Sequence, residues 1–96
     1  MRVYDEDIKE ALDFRYGIDE VDAKMLKRIK EKTYEAIGRF LDPNNQGKAV
    51  EMFIHFAIAK MLKNGEIDEK YENYIDETEA KHMMMAAFED AMTAEQ

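Results

Sequence analysis

The chain lacks cysteine, serine and tryptophan, and holds a single proline and four glycines. Without cysteine there are no disulfide staples, thiolate metal sites or thiol nucleophiles, which fits a reducing compartment. The only side-chain hydroxyls belong to Thr33, Thr78, Thr93 and to Tyr4, Tyr16, Tyr34, Tyr71 and Tyr74, so serine and cysteine nucleophile schemes have no starting residue. No apolar run approaches the roughly 18 residues of a membrane span, and the acidic start Met-Arg-Val-Tyr-Asp-Glu-Asp has no apolar stretch behind it. Neither a signal peptide nor a membrane partner is expected. With no nucleophile-base pair, phosphate-cradling loop or metal cluster, the expectation is a non-enzymatic protein without cofactors.

What the chain does have is charge, unevenly placed. Its 96 residues suit one domain with a modest core, and its net charge is −8. Residues 1–65 hold equal numbers of acids and bases, so the whole excess lies in residues 66–96, where Lys70 and Lys81 face Glu66, Asp68, Glu69, Glu72, Asp76, Glu77, Glu79, Glu89, Asp90 and Glu95. Within the neutral part, 24–39 is basic, with Lys24, Lys27, Arg28, Lys30, Lys32 and Arg39 against Glu31 and Glu35. The overall charge opposes non-specific binding to DNA or anionic lipid. Its segregation suggests a positive face and a negative arm that can meet head to tail between copies.

Hydrophobic spacing predicts an all-α fold: a small four-helix domain with a long central helical pair and a C-terminal helix able to extend to a partner. Asp5 is a plausible N-cap for a helix to about Arg15, with Ile8, Ala11 and Leu12 on one face and Gly17 as a left-handed stop. The second helix runs from Asp19 or Asp22 to Leu41, and Thr33 fills the one gap in its stripe of Met25, Leu26, Ile29, Ala36, Ile37, Phe40 and Leu41. Asp42-Pro43-Asn44-Asn45-Gln46-Gly47 breaks it. A third helix, Lys48 to Asn64, has the densest apolar face and should be central, with Gly65 as its stop. The segment from Asp68 to about Met92 has an interrupted stripe. It is read as one long helix that leaves the domain midway or two that meet near Lys81, the favoured form packing its second half on a neighbouring subunit.

Sites of specific chemistry are weakly signalled. Residues 42–53 sit where a calcium loop would, with Asp42, Asn44, Gln46 and Gly47 in register, but Phe53 stands where the bidentate glutamate belongs. Glu51 precedes His55 by four residues, which is too few ligands for zinc and suits a helix-surface contact or a half-buried ring. The carboxylates from Asp68 to Glu79 read as a solvated acidic face. Met83, Met84 and Met85 point in three directions on a helix, as either core filling or an adaptable binding surface.

The order of these segments resembles the small head-to-tail connector (adaptor) proteins of tailed bacteriophages. The resemblance lies in Asp-Glu-Asp-Ile-Lys-Glu-Ala-Leu at Asp5 to Leu12 with the exit Tyr16-Gly17-Ile18-Asp19, in Asp22 to Leu41 with Leu26, Ile29, Ala36, Ile37 and Phe40, and in the acidic-aromatic stretch Asp68 to Glu77. These cover most of the chain, and the Met-rich end from Met83 departs from the pattern. The resemblance implies a structural virion protein, assembled in the host cytoplasm, whose dodecameric ring joins portal protein to tail-side proteins around a weakly contacted DNA. A ring needs two different patches that meet in a rotation that closes. The patches expected here are Lys24, Arg28, Lys32 and Arg39 against Asp68, Tyr71, Glu72, Asp76 and Glu79, with Met84, Met85 and Phe88 adding apolar contact. The alternative is a small acidic inhibitor that mimics DNA on a basic enzyme, presenting Asp68, Glu72, Asp76 and Glu79 as one row on a helix face. A third possibility is a helical regulatory partner module that docks by its Met-rich end.

Overall fold

The computed structural model describes residues 2–40 and 50–94, with the side chains of residues 40, 84, 87, 88 and 90–94 outside the description. The described residues are all-α, in five helices: α1 (Asp5–Tyr16), α2 (Ala23–Phe40), α3 (Val50–Lys63), the single turn α4 (Glu69–Glu72) and α5 (Glu77–Ala94). The calcium-like segment before α3 and the expected helix ends at Leu41 and Lys48 lie outside the described residues.

Local chemistry accounts for most helix ends. The N-cap of α1 is Tyr4 rather than Asp5, because the Asp7 carboxylate reaches back to accept the Tyr4 backbone N–H at 2.9 Å. Gly17, at φ 67°, ends α1 as expected: its N–H donates to the Asp13 carbonyl and that of Ile18 to the Leu12 carbonyl, the left-handed stop that satisfies late carbonyls. Gly65, at φ 70°, closes α3 in the same way, with Glu66 N–H donating to the Met61 carbonyl at 2.8 Å. Asp22 caps α2 by accepting the Met25 N–H at 2.8 Å.

The central helix is α3, buried from Phe53 through Ala59, with α1 and α2 packed on it and α5 packed along it more extensively than any other pair of described helices. Ile8 and Leu12 from α1, Ile29 from α2, and Ile54, Ile58 and Met61 from α3 are fully buried at the centre. Thr33 fills the gap in the α2 stripe without an orphan hydroxyl, since its Oγ1 donates to the Ile29 carbonyl at 2.7 Å.

The fourth segment departs from expectation in two ways. It breaks at Asn73–Asp76, ahead of Lys81, and its later part packs on α3 of its own chain. The reason is the direction of its apolar residues. Tyr71 and Ile75 are four apart and would share a face of a continuous helix, but Ala80 would then lie on the far side. All three are buried in the same core, which requires the chain to turn between them. Asp76 restarts the helix by accepting the N–H groups of Thr78 and Glu79 at 2.8 and 3.1 Å.

Candidate functional site

Two polar constellations connect the helices. The first is a charged seam where α2 meets the chain around α4. Asp22, at the start of α2, receives the Lys70 ammonium on Oδ2 at 2.6 Å, while its backbone N–H donates to the Tyr71 hydroxyl at 2.9 Å. The hydrogen bonds from Lys70 and from the Met25 backbone hold the Asp22 carboxyl below its ordinary range, and the same contact raises Lys70. Six residues along, Arg28 Nη1 donates to the Glu66 carbonyl at 3.3 Å, and one turn further Lys32 Nζ lies 3.6 Å from the Glu66 carboxylate. The basic face of α2 and the start of the acidic segment therefore already meet within one chain.

That placement changes the roles of several expected interface residues. Tyr71 is buried, engaged with Asp22 and turned away from any neighbour, because its ring completes the core beside Ile75. Asp68 and Asp76 are exposed N-caps of α4 and α5, so their carboxylates hold helix ends. Asp68, Glu72, Asp76 and Glu79 accordingly fall on different elements and do not form the single row on one helix face expected from their spacing. Lys24, Arg28, Arg39 and Glu72 are exposed, and Lys32 and Glu79 are half-buried. Met85 is 57% exposed on α5, whereas Met83 is turned inward; the side chains of Met84 and Phe88 lie outside the described residues.

The second constellation is a chain of polar side chains linking α1, α3 and α5. It begins at the surface, where Arg15 Nε donates to Glu51 Oε1 at 3.4 Å. The same carboxylate oxygen lies 3.2 Å from His55 Nε2, one turn along α3. His55 is only 4% exposed, and its Nδ1 is 3.1 Å from the Tyr16 hydroxyl, which itself lies 3.7 Å from the Met83 sulfur on α5. The Tyr16 ring meets the imidazole edge-on, with centroids 5.8 Å apart. An ionised carboxylate only accepts hydrogen bonds, so neutral His55 carries its proton on Nε2 and accepts the Tyr16 hydroxyl proton on Nδ1. Burial pushes the His55 pKa below its ordinary 6.5, against the opposing pull of Glu51. Burial also raises Tyr16, with Glu79 adding to the effect, and the His55 contact lowers Glu51.

The expected Glu51–His55 contact is thus present, with the ring more deeply buried than a surface pair would be. Among the described residues no cluster of three or more histidines, aspartates or glutamates could hold a metal ion. The spacing of α1 gives Tyr16 no role beyond its place before the Gly17 stop, because its partner His55 lies 39 residues away. Nor does the spacing give Phe14 a role. It is 80% exposed, off the Ile8, Ala11 and Leu12 stripe, and lines an open groove with Asp7, Glu10, Asp13, Arg15, Val50 and Glu51. Its sequence signal is an aromatic residue on the acidic side of an amphipathic helix.

None of the described helices is long and apolar enough to cross a membrane. In comparisons with known proteins, no family model, no curated protein and no solved structure matches this chain.

Proposed function

We propose that this chain is a structural assembly protein of the phage head-to-tail connector kind, which forms a ring with copies of itself between portal protein and tail-side proteins in the virion. Its support is the segment resemblance, together with one observation about the surface. The α2–α4 seam engages Arg28, Lys32, Asp22, Lys70 and Glu66 within the chain. Lys24 and Lys27 on one side of it, and Glu69 and Glu72 on the other, are exposed and make no ion pair among the described residues. Opposite charges left over on the two flanks of a closed seam favour a second copy that supplies each with its counter-charge. Exposed pairs contribute only about 0–1 kcal/mol each, so apolar residues such as Phe14 and Met85 carry much of the remaining affinity.

The test follows from which charges are already engaged. Reversing Arg28 and Lys32, or Asp68, disturbs contacts that hold the fold. Lys24→Glu with Lys27→Glu leaves those contacts in place and is expected to weaken self-association or portal binding, with Glu69→Lys and Glu72→Lys in the same chain restoring part of it. Sedimentation velocity and mass photometry, at low and high salt and with candidate portal protein, read the outcome. A wild-type chain that stays monomeric throughout and ignores portal protein overturns the reading. Sensitivity to the acidic reversals alone points instead to an external basic partner.

A further inference from the structure

Phe14 stands on α1 with 80% of its surface in water, beside the exposed carboxylates of Glu10 and Asp13. Between α2 and α3 lies a small cleft with an apolar floor and a rim of Lys32, Arg39 and Lys60. We propose that these are the two halves of one contact between copies of the chain: Phe14 of one copy seats in the α2–α3 cleft of the next, and its flanking carboxylates meet the basic rim. This pairing rests on the self-assembly reading above and gives that assembly its two surfaces.

Charge decides which hollow an acidic knob can enter. Around Phe14 stand Asp7, Glu10, Asp13 and Glu51 against Arg15 alone, and Arg15 is taken by Glu51 at 3.4 Å. Glu10 and Asp13 have no cation among the described residues. The groove at the α1–α2 connection repels such a knob, since Asp19, Glu20 and Asp22 outnumber Lys9 and Lys70 there. The hollow by the Gly65 stop is no better, with Asp22, Glu66 and Asp68 against Lys24 and Arg28. The α2–α3 cleft has the opposite balance, three cations against Glu35. Lys32 is shared between Glu35 and Glu66 at 3.6 Å each, whereas Lys60 makes no ion pair among the described residues.

Shape agrees with charge. Ala36, Ala57 and Phe56 floor the cleft, and the two small side chains leave a space of about 70 Å³. A cavity of about 150 Å³ houses benzene, so this one takes the leading edge of a phenyl ring and leaves its faces against the rim. The rim suits an aromatic face. Lys60 Nζ already lies 5.8 Å from the centroid of the Phe56 ring, and a second ring beside the same ammonium makes the same kind of contact. Glu51 lines the Phe14 groove and Lys60 the cleft, nine residues apart on α3, which is about two and a half turns. They therefore face opposite ways. A copy that inserts its own Phe14 keeps its cleft open for another, so the contact is head to tail and propagates until a ring closes.

Because the chain has no cysteine, single introduced cysteines report this contact. A Glu10→Cys chain mixed with a Lys60→Cys chain is expected to cross-link through a short bismaleimide, and neither chain should cross-link to itself. Lys9→Cys, on the other groove beside α1, is the control and should not link to Lys60→Cys. Phe14→Ala should weaken self-association in sedimentation velocity by at least about tenfold and leave the melting temperature unchanged, since the side chain is largely in water. A wild-type chain that stays monomeric at its highest soluble concentration, with no cross-link in the mixed pair, overturns both the assembly reading and this pairing. Association that is as strong in Phe14→Ala as in the wild type overturns the pairing alone. So does a Glu10→Cys chain that links to itself, or a control that links to Lys60→Cys as readily.

Discussion

Tyr71 illustrates how one side chain serves two purposes. Its ring fills the core beside Ile67 and Ile75, and its hydroxyl accepts the backbone N–H of Asp22 at 2.9 Å, one of the free donors at the start of α2. Tyr71→Phe keeps the ring and leaves that N–H short of its partner, with an expected loss of about 1–2 kcal/mol in urea unfolding. An unchanged midpoint would show that water replaces the hydroxyl. An aromatic residue in an acidic stretch reads from sequence as an exposed contact, because neighbouring charges suggest solvent. Its inward direction depends on the turn after α4, which local spacing does not reveal. Thr33 was legible for the opposite reason: its position within the helical stripe already requires burial, and the carbonyl that receives its hydroxyl belongs to the same helix.

Helix limits are where the sequence was most informative. Gly17, Gly65 and Asp22 act through backbone conformation and hydrogen bonds that span three to six residues, so the signal and its effect lie in the same window. The starts of α1 and α5 are the exceptions, although the device at each is equally local: Tyr4, not Asp5, caps α1. Asp76 reads from sequence as one more charge of an acidic face, and its capping role depends on the break at Asn73–Asp76. Asp76→Ala should cost about 0.5–2 kcal/mol through the lost cap, and exchange at the first turn of α5 should rise more than at α3. Equal effects on both helices would mean that the cap acts on the whole fold rather than on α5.

At the level of the whole molecule, the titrating groups define a pH window for stability. The folded pKa of His55 is depressed, so its contribution is complete above about pH 6.5 and declines as pH falls through the folded value. Asp22 and Glu51 are also depressed, and their contributions are lost at still lower pH. Lys30, Lys70 and Tyr16 are raised, so what they add is present below about pH 10 and lost as pH rises beyond it. Urea midpoints should therefore be highest between about pH 7 and 10, with the first acidic decline removed by His55→Gln. A midpoint that stays level from pH 7.5 to 5 in the wild type would contradict the buried neutral ring.

The all-α class, the apolar stripes of the first three helices, the central place of α3 and the glycine stops are all readable in the order of residues along the chain. Each of these depends on residues a few positions apart, whose spacing and backbone preference act locally. Which polar groups meet is settled by packing. Tyr16 and His55 are 39 residues apart, Asp22 and Tyr71 are 49 apart, and Tyr16 and Met83 are 67 apart. Charge pattern alone set the basic and acidic stretches against each other, but packing brought their edges together within one chain and so separated the charges engaged in the fold from those left exposed. Hydrogen bonds of a few ångströms between distant residues require the whole core to be in place, and no local signal encodes them.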